Sequence, residues 1–392
     1  MILRKEIVAP ALFLLIGIVA AIQYGKIAPL IPVLRGTFAL DLIPAGWLAS
    51  LISIVAAIGG YAIGYASDRI GQSRALKVGL LAFAIGNVVG ALATAPAFLF
   101  LGRFVEGIGY VSLMVSVPSL IVRTTPSRLH RLFLGLWGAV VPAGMMLIML
   151  TAGSLHRHIG WQSIWWASAL AFAAMFLLVA ARPCGPASDA TPPRPAFSID
   201  VPAGVWILAG CFAIYTMQWL SLVTWLPSFY HEGTSSSAGA RAFVTAMVVG
   251  ANIIGNLLGT ALLYRGVASW VLMSIGAIAM AAACVIVFAI MPSAGWLGLV
   301  AFAGSLLGGF IPPSALSEIP LHTHGREKLS AANGIVMQGA SIGSLLGPPA
   351  AAALYSPAYA WAISGSVLAA ASILSLAIIA VLKRRDPRTT SS

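Results

Sequence analysis

Gly64-Tyr65-Ala66-Ser67-Asp68-Arg69-Ile70-Gly71-Gln72-Ser73-Arg74 is a charged turn set between two long apolar runs. Its two glycines stand seven residues apart and allow two helix ends to approach closely. Asp68 suits a helix N-terminus or a basic partner, and Arg69 and Arg74 suit the positive side of a bilayer. A turn of this kind reads as the point where one membrane helix ends at the surface and the next begins.

Composition agrees. Hydrophobic residues make up 60% and charged residues 8% of the 392, against roughly 25% charged in a soluble domain. Cutting the chain at charge and proline clusters gives apolar spans near 7–32, 43–66, 75–95, 97–122, 132–153, 161–181, 204–230, 242–263, 268–291, 295–317, 329–354 and 358–382. Each approaches or exceeds the roughly 20 residues a helix needs to cross the hydrocarbon core. Unpaired backbone amides are costly in lipid, and these runs lack the alternation of a barrel strand, so helix is the expected state. The fold class is therefore an all-α polytopic membrane protein of twelve transmembrane helices.

A net charge of +12 raises the question of nucleic acid. Placing both termini in the cytoplasm puts seventeen basic residues inside and only Arg35, Arg157 and Arg241 outside. This is the positive-inside pattern, and it removes nucleic acid as a partner. Arg4 and Lys5 followed by an apolar run imitate a signal peptide. The run is too long, and Gln23, Tyr24 and Lys26 do not make a small-residue cleavage site. Cys184, Cys211 and Cys284 are scattered, without the spacing of a metal cluster.

The stretch from Arg182 to Pro202 contains Pro192-Pro193-Arg194-Pro195 and separates six spans from six. The expected domains are 1–181, a linker at 182–203, and 204–392. Sliding the second half over the first pairs Gln23 with Gln218, Pro32 with Pro227, Gly64 with Gly259, Gly71 with Gly266, Gly109 with Gly304 and Pro118 with Pro313, each 195 apart. Later the offset becomes 199, pairing Gly135 with Gly334 and Gly144 with Gly343. The halves read as a repeat.

Charge inside the spans is sparse. In Arg103-Phe104-Val105-Glu106-Gly107-Ile108-Gly109 the arginine and glutamate share a helix face that continues through Tyr110. Each buried ion costs roughly 2.5–3.5 kcal/mol on insertion scales, so these groups need partners or a wet cavity. Lys26 lies at similar depth in the first span, and the three together carry +1 when Glu106 is ionised. The competing reading is an architectural ion pair pinning two helices. Lys26, Arg103 and Glu106 match Ser221, Gly298 and Ala301 in the second half, so the charge is one-sided. There, Tyr215 and Gln218 are expected to share a face, with Gln218 approaching Gln23 across the repeat axis; a glutamine bonded to a neighbouring helix is the alternative.

The turn at 64–74 resembles the loop between the second and third helices of the major facilitator superfamily, and Arg103 with its glycine pair resembles that family's fourth-helix pattern. The resemblance covers essentially the whole chain. It implies two pseudo-symmetric halves that rock between inward and outward states, with substrate bound near the midplane by helices one, four, seven and ten. Lys26, Arg103, Gln23, Gln218, Tyr215 and Tyr110 then become expected substrate-binding residues, Glu106 the proton-coupling residue, and Asp68, Arg69, Arg74, Gly64 and Gly71 the gating set.

Glu106-Gly107-Ile108-Gly109, Pro118-Ser119-Leu120, Trp137-Gly138, Trp161, Trp165-Trp166 and Trp225-Leu226-Pro227 are similar to cyanate and nitroimidazole permease-like members. This implies a small anionic or polar substrate, which the positive cluster also favours. Gly135, Gly138, Pro142 and Gly144 resemble a degraded form of the drug-proton antiporter motif. A proton-coupled drug or metabolite exporter is therefore the alternative, with a non-transporting receptor behind it.

Met145, Met146 and Met149 lack accompanying His or Cys within their span, and metal at His156 and His158 or at His322 and His324 is not expected. Neither cofactor nor catalytic constellation is expected, which excludes an enzyme. The expected state is a monomer in the bacterial inner membrane, with both termini cytoplasmic.

Overall fold

The computed structural model describes residues 2–181, 202–233, 238–290, 294–322, 326–356 and 361–385. Most of the expected linker, 182–201, lies outside them. Helices occupy all twelve expected spans: α1 (Val8–Phe38), α2 (Leu42–Ile63), α3 (Gln72–Ala91), α4 (Pro96–Thr124), α5 (Val140–Ile159), α6 (Gln162–Ala180), α7 (Ala203–Ser228), α8 (Gly239–Tyr264), α9 (Ser269–Ile290), α10 (Trp296–Glu318), α11 (Arg326–Ala353) and α12 (Ala362–Lys383). Among the described residues ten are long and apolar enough to cross a bilayer; in α5 the described apolar stretch is Val140–Ala152, and α11 does not meet that measure. Leu170 and Leu177 on α6 and Ile373 and Leu374 on α12 remain exposed, as lipid-facing positions should.

The chain divides into two units, Met1–Leu40 with Leu51–Phe197, and Asp41–Ser50 with Ser198–Ser392. The first ten-residue stretch of the second unit includes the start of α2, where a Cβ on Gly46 would lie 2.8 Å from the Pro349 backbone of α11. In the first unit, Phe83 of α3 stacks on Phe172 of α6 with centroids 4.4 Å apart. In the second, Trp225 of α7 packs on Trp361 at 5.0 Å and donates its indole N–H to the Pro348 carbonyl at 2.9 Å.

α5 and α11 are partners under the repeat. A Cβ on Gly144 of α5 would meet the Ile18 carbonyl at 2.4 Å and Ala21 at 2.5 Å on α1. A Cβ on Gly343 of α11 would meet the Ala213 carbonyl at 1.9 Å and Thr216 at 2.4 Å on α7. The contacts obey the register found in the sequence, 195 for the α1 and α7 residues and 199 for the glycines. Gly339 and Gly347 continue the α11 seam against Ala209 and Met217. Small residues buy backbone approach at the expense of hydropathy, which explains why α11 looks least like a membrane span. The fifth span also begins differently from expectation: a separate helix, Ser127–Gly138, precedes Val140.

Gly71 and its repeat mate Gly266 both hold positive φ, 90° and 86°. Each turn needs a backbone shape that a Cβ disfavours. The Gly343 seam yields the sharper test. Gly343→Ala is expected to cost about 1–3 kcal/mol through overpacking against backbone, whereas Gly138→Ala, where a Cβ meets nothing, should be neutral or slightly stabilising. Thermal unfolding in detergent measures both; equal midpoints for the two variants would contradict the seam.

Candidate functional site

The first unit encloses a cluster of charge, and a break in α1 makes it. The regular helix ends at Gly25, Lys26 and Ile27 form a bend, a 3-10 turn runs from Ala28 to Leu30, and helix resumes at Ile31–Phe38. Pro29 lacks the N–H that would bond the Gly25 carbonyl, which favours the interruption. Carbonyls in the last turn are thereby left without helical partners. One of them, Gln23 O, accepts from Arg103 Nη1 at 2.7 Å.

Close packing of α3 on α4 brings the other members in. Gly86 and Gly102 face each other, and a Cβ on either would lie 2.7–2.8 Å from the other's carbonyl oxygen. Glu106 lies one turn beyond Gly102, and Asn87 adjoins Gly86. Asn87 Nδ2 donates to Phe83 O at 2.8 Å, leaving Oδ1 to face Lys26.

Lys26 Nζ donates to Glu106 Oε1 at 2.6 Å, to Gln23 Oε1 at 2.8 Å and to Asn87 Oδ1 at 2.8 Å. An ammonium has three protons, so Lys26 is saturated. The second carboxylate oxygen of Glu106 accepts from Arg103 Nη1 at 2.6 Å. The Trp165 ring of α6 lies 4.4 Å from the Lys26 nitrogen, close enough for a cation–π contact. Lys26 and Glu106 are 0% exposed and Arg103 1%.

The three expected charges thus meet, but they meet in the core of the unit among α1, α3, α4 and α6, closed to solvent in this conformation. Chemically, the arrangement is two cations bridged by one carboxylate, net +1 when that carboxylate is ionised.

Gln23 and Gln218 have their amides engaged inside their own units. Gln23 Nε2 donates to Ser168 Oγ of α6 at 2.9 Å, and Gln218 Nε2 to Ser372 Oγ of α12 at 2.7 Å and Leu368 O at 2.6 Å. The repeat extends to these bonds: first helix to sixth, seventh to twelfth.

The expectation that Tyr215 shares a face with Gln218 is corrected. Tyr215 turns to α8, where Asn252 Nδ2 donates to its hydroxyl at 2.7 Å, while Gln218 turns to α12. Their spacing leaves enough angle for different neighbours to capture the two side chains. Asn252 also accepts from Asn256 at 2.9 Å and donates to Ser305 O, and Ser305 Oγ accepts from Trp219 Nε1 at 2.9 Å.

Tyr110 packs against Tyr24, centroids 5.1 Å apart, and the Tyr24 hydroxyl bonds Ser53 Oγ at 2.8 Å. Of the gating set, Gly71 is the left-handed turn already described and Arg74 is exposed. Gly64 and the side chains of Asp68 and Arg69 lie outside the described residues.

Sequence reasoning missed Asn87, Ser168, Asn252, Asn256 and Ser305. A polar residue inside an apolar span is itself the signal that could have found them. Among the described residues no group of three His, Cys, Asp or Glu side chains could hold a metal ion.

The cyanate transport protein CynX of Escherichia coli (strain K12) is 26% identical over 242 residues, 60% of this chain and 62% of that one. The multidrug efflux pump LfrA of Mycolicibacterium smegmatis is 27% identical over 245 residues, 62% of this chain and 46% of that one. The chain thus spans 62% or less of the length of these two curated relatives. In three dimensions the crystal structure of the peptide transporter POT in complex with sulfate superposes with a TM-score of 0.78 at 15% identity, covering 96% of this chain and 95% of that one, a likeness of fold alone. The model of the Major Facilitator Superfamily matches residues 13–326. With a paired-glycine register linking two six-helix halves and a family match over most of its length, this multi-pass membrane protein belongs to the Major Facilitator Superfamily.

Proposed function

We propose that the chain is a secondary active transporter that moves a small anionic or polar compound by alternating access, coupled to a proton taken up at Glu106. The observation that carries this reading is the cluster itself, two cations and one carboxylate buried inside a membrane bundle. Intramembrane ions are expensive, and their use is normally a pathway for charge. A net +1 site suits an anion, and the similarity to a cyanate transport protein points the same way, since cyanate is an anion. Because every Lys26 proton is engaged, an anion reaches the two cations when Glu106 becomes protonated and lets go. Tyr215 with Asn252, Tyr110, Gln23 and Gln218 would serve the uncharged part of the ligand. Asp68, Arg69, Arg74, Gly64 and Gly71 would form the gate on the cytoplasmic side, with both termini on that side, in a monomer of the bacterial inner membrane.

Similarity to a multidrug efflux pump favours a second reading, a proton-coupled exporter. A thermal-shift screen of the purified protein against cyanate, organic anions, sugars, amino acids and cationic dyes separates the two. At a ligand concentration of 100 Kd the stabilisation is about 2.7 kcal/mol, enough to move the midpoint visibly. Stabilisation by an anion is expected. Stabilisation by cationic dyes with none by anions would overturn the anion reading in favour of export.

A further inference from the structure

Each cation of the charge cluster has an anchor besides Glu106, and Gln23 supplies part of both. Its side-chain oxygen accepts from Lys26 Nζ at 2.8 Å, while its backbone carbonyl, freed by the break in α1, accepts from Arg103 Nη1 at 2.7 Å. Asn87 Oδ1 takes a second Lys26 proton at 2.8 Å, and the Trp165 ring lies 4.4 Å from the same nitrogen. The two amides are themselves held, Gln23 Nε2 donating to Ser168 Oγ at 2.9 Å and Asn87 Nδ2 to Phe83 O at 2.8 Å. Both are fully buried. The cations are thus fixed in place by neutral groups on α1, α3 and α6, whatever Glu106 does.

One N–H of Lys26 and one of Arg103 Nη1 are left for the carboxylate, and its two oxygens divide them, Oε1 to Lys26 and Oε2 to Arg103, each at 2.6 Å. Behind it lies bare backbone: a Cβ on Gly86 would come 2.9 Å from Glu106 Cγ. The donors therefore define a shape, two oxygens on one planar carbon sharing one negative charge. We propose that the seat now filled by the Glu106 carboxylate is the ligand's seat, and that the anion it takes is a small carboxylate. The proposal rests on the transport reading, in which Glu106 lets go of the cations, and adds the shape of the group that replaces it. A ligand carboxylate remakes both charge-assisted bonds without moving either donor. Cyanate is linear, with its end atoms pointing in opposite directions, and chloride is a single point; each satisfies one donor well and the other poorly. The seat selects by shape among anions of equal charge.

Chemical rescue of Glu106→Ala tests this at neutral pH throughout. Formate, acetate, cyanate and chloride are titrated at matched ionic strength against the full-length protein in detergent, and the unfolding midpoint is read. The same salts on Lys26→Ala, which lacks one of the two donors, give the general salt effect to subtract. Formate and acetate are expected to raise the Glu106→Ala midpoint at concentrations about tenfold lower than cyanate or chloride, the effect of one further charge-assisted hydrogen bond. Wild type should show the same order at higher concentrations, because the added anion displaces Glu106 there, and this arm decides the matter if Glu106→Ala does not fold without an anion. Cyanate or chloride acting at concentrations equal to or below those of formate, in either protein, would overturn the carboxylate seat and leave the anion reading standing. Rescue of Glu106→Ala by formate, with no response of wild type to any of the four, would support the seat and overturn the transport reading.

Discussion

Glu106→Ala is expected to lower the stability of the protein by about 3–5 kcal/mol, read as a large drop in its unfolding midpoint in detergent. The reason is the count of charges left behind. Glu106 bridges Lys26 and Arg103 with contacts of 2.6 Å to each, and all three are buried. Removing the carboxylate leaves two cations side by side without a counter-ion in a medium that solvates neither. Lys26→Ala should cost less, because Arg103 and Glu106 remain as a neutral pair and only the Gln23 and Asn87 oxygens lose a donor. The order of the two variants is the diagnostic result. A Glu106→Ala protein as stable as Lys26→Ala would mean that the carboxylate does not hold the cations together.

Lys26→Ala is expected to weaken binding of an anionic ligand by about 2 kcal/mol or more, roughly 30-fold in Kd. The loss of positive charge sets the sign, since the cluster falls from +1 to neutral with Glu106 ionised. Glu106→Gln should act differently in kind. It retains both cations and releases them from their resident carboxylate, so anion binding should persist while its dependence on pH is lost. Titration calorimetry with cyanate across pH 5.5–8 separates the two. Equal loss of affinity in both variants would remove the distinction between a binding cation and a coupling carboxylate.

Much of this was legible in the sequence because membrane folds follow hydropathy and register. The spans came from composition, and the repeat from Gln23 with Gln218 and Gly71 with Gly266. Those offsets reappear in the positive φ of the two glycines and in the Gly144 and Gly343 contacts. Depth placed Lys26 beside Arg103 and Glu106. Rotation about a helix axis is not fixed by depth, however, which is why the company of Asn87 and Trp165 was invisible and why Tyr215 and Gln218 parted. The break at Lys26 had a visible cause in Pro29, yet an apolar run reads equally well as one continuous helix. The Ser269–Glu318 contact joins elements far apart in sequence, and no spacing rule anticipates it.

The central claim is that Glu106 carries the proton whose uptake lets an anion reach Lys26 and Arg103. Uptake of labelled cyanate into proteoliposomes under an imposed proton gradient tests it most directly, comparing wild type with Glu106→Gln. Wild type is predicted to accumulate the anion above equilibrium, and Glu106→Gln to exchange it across the membrane without accumulation. Gradient-driven accumulation by Glu106→Gln equal to that of wild type would contradict the account.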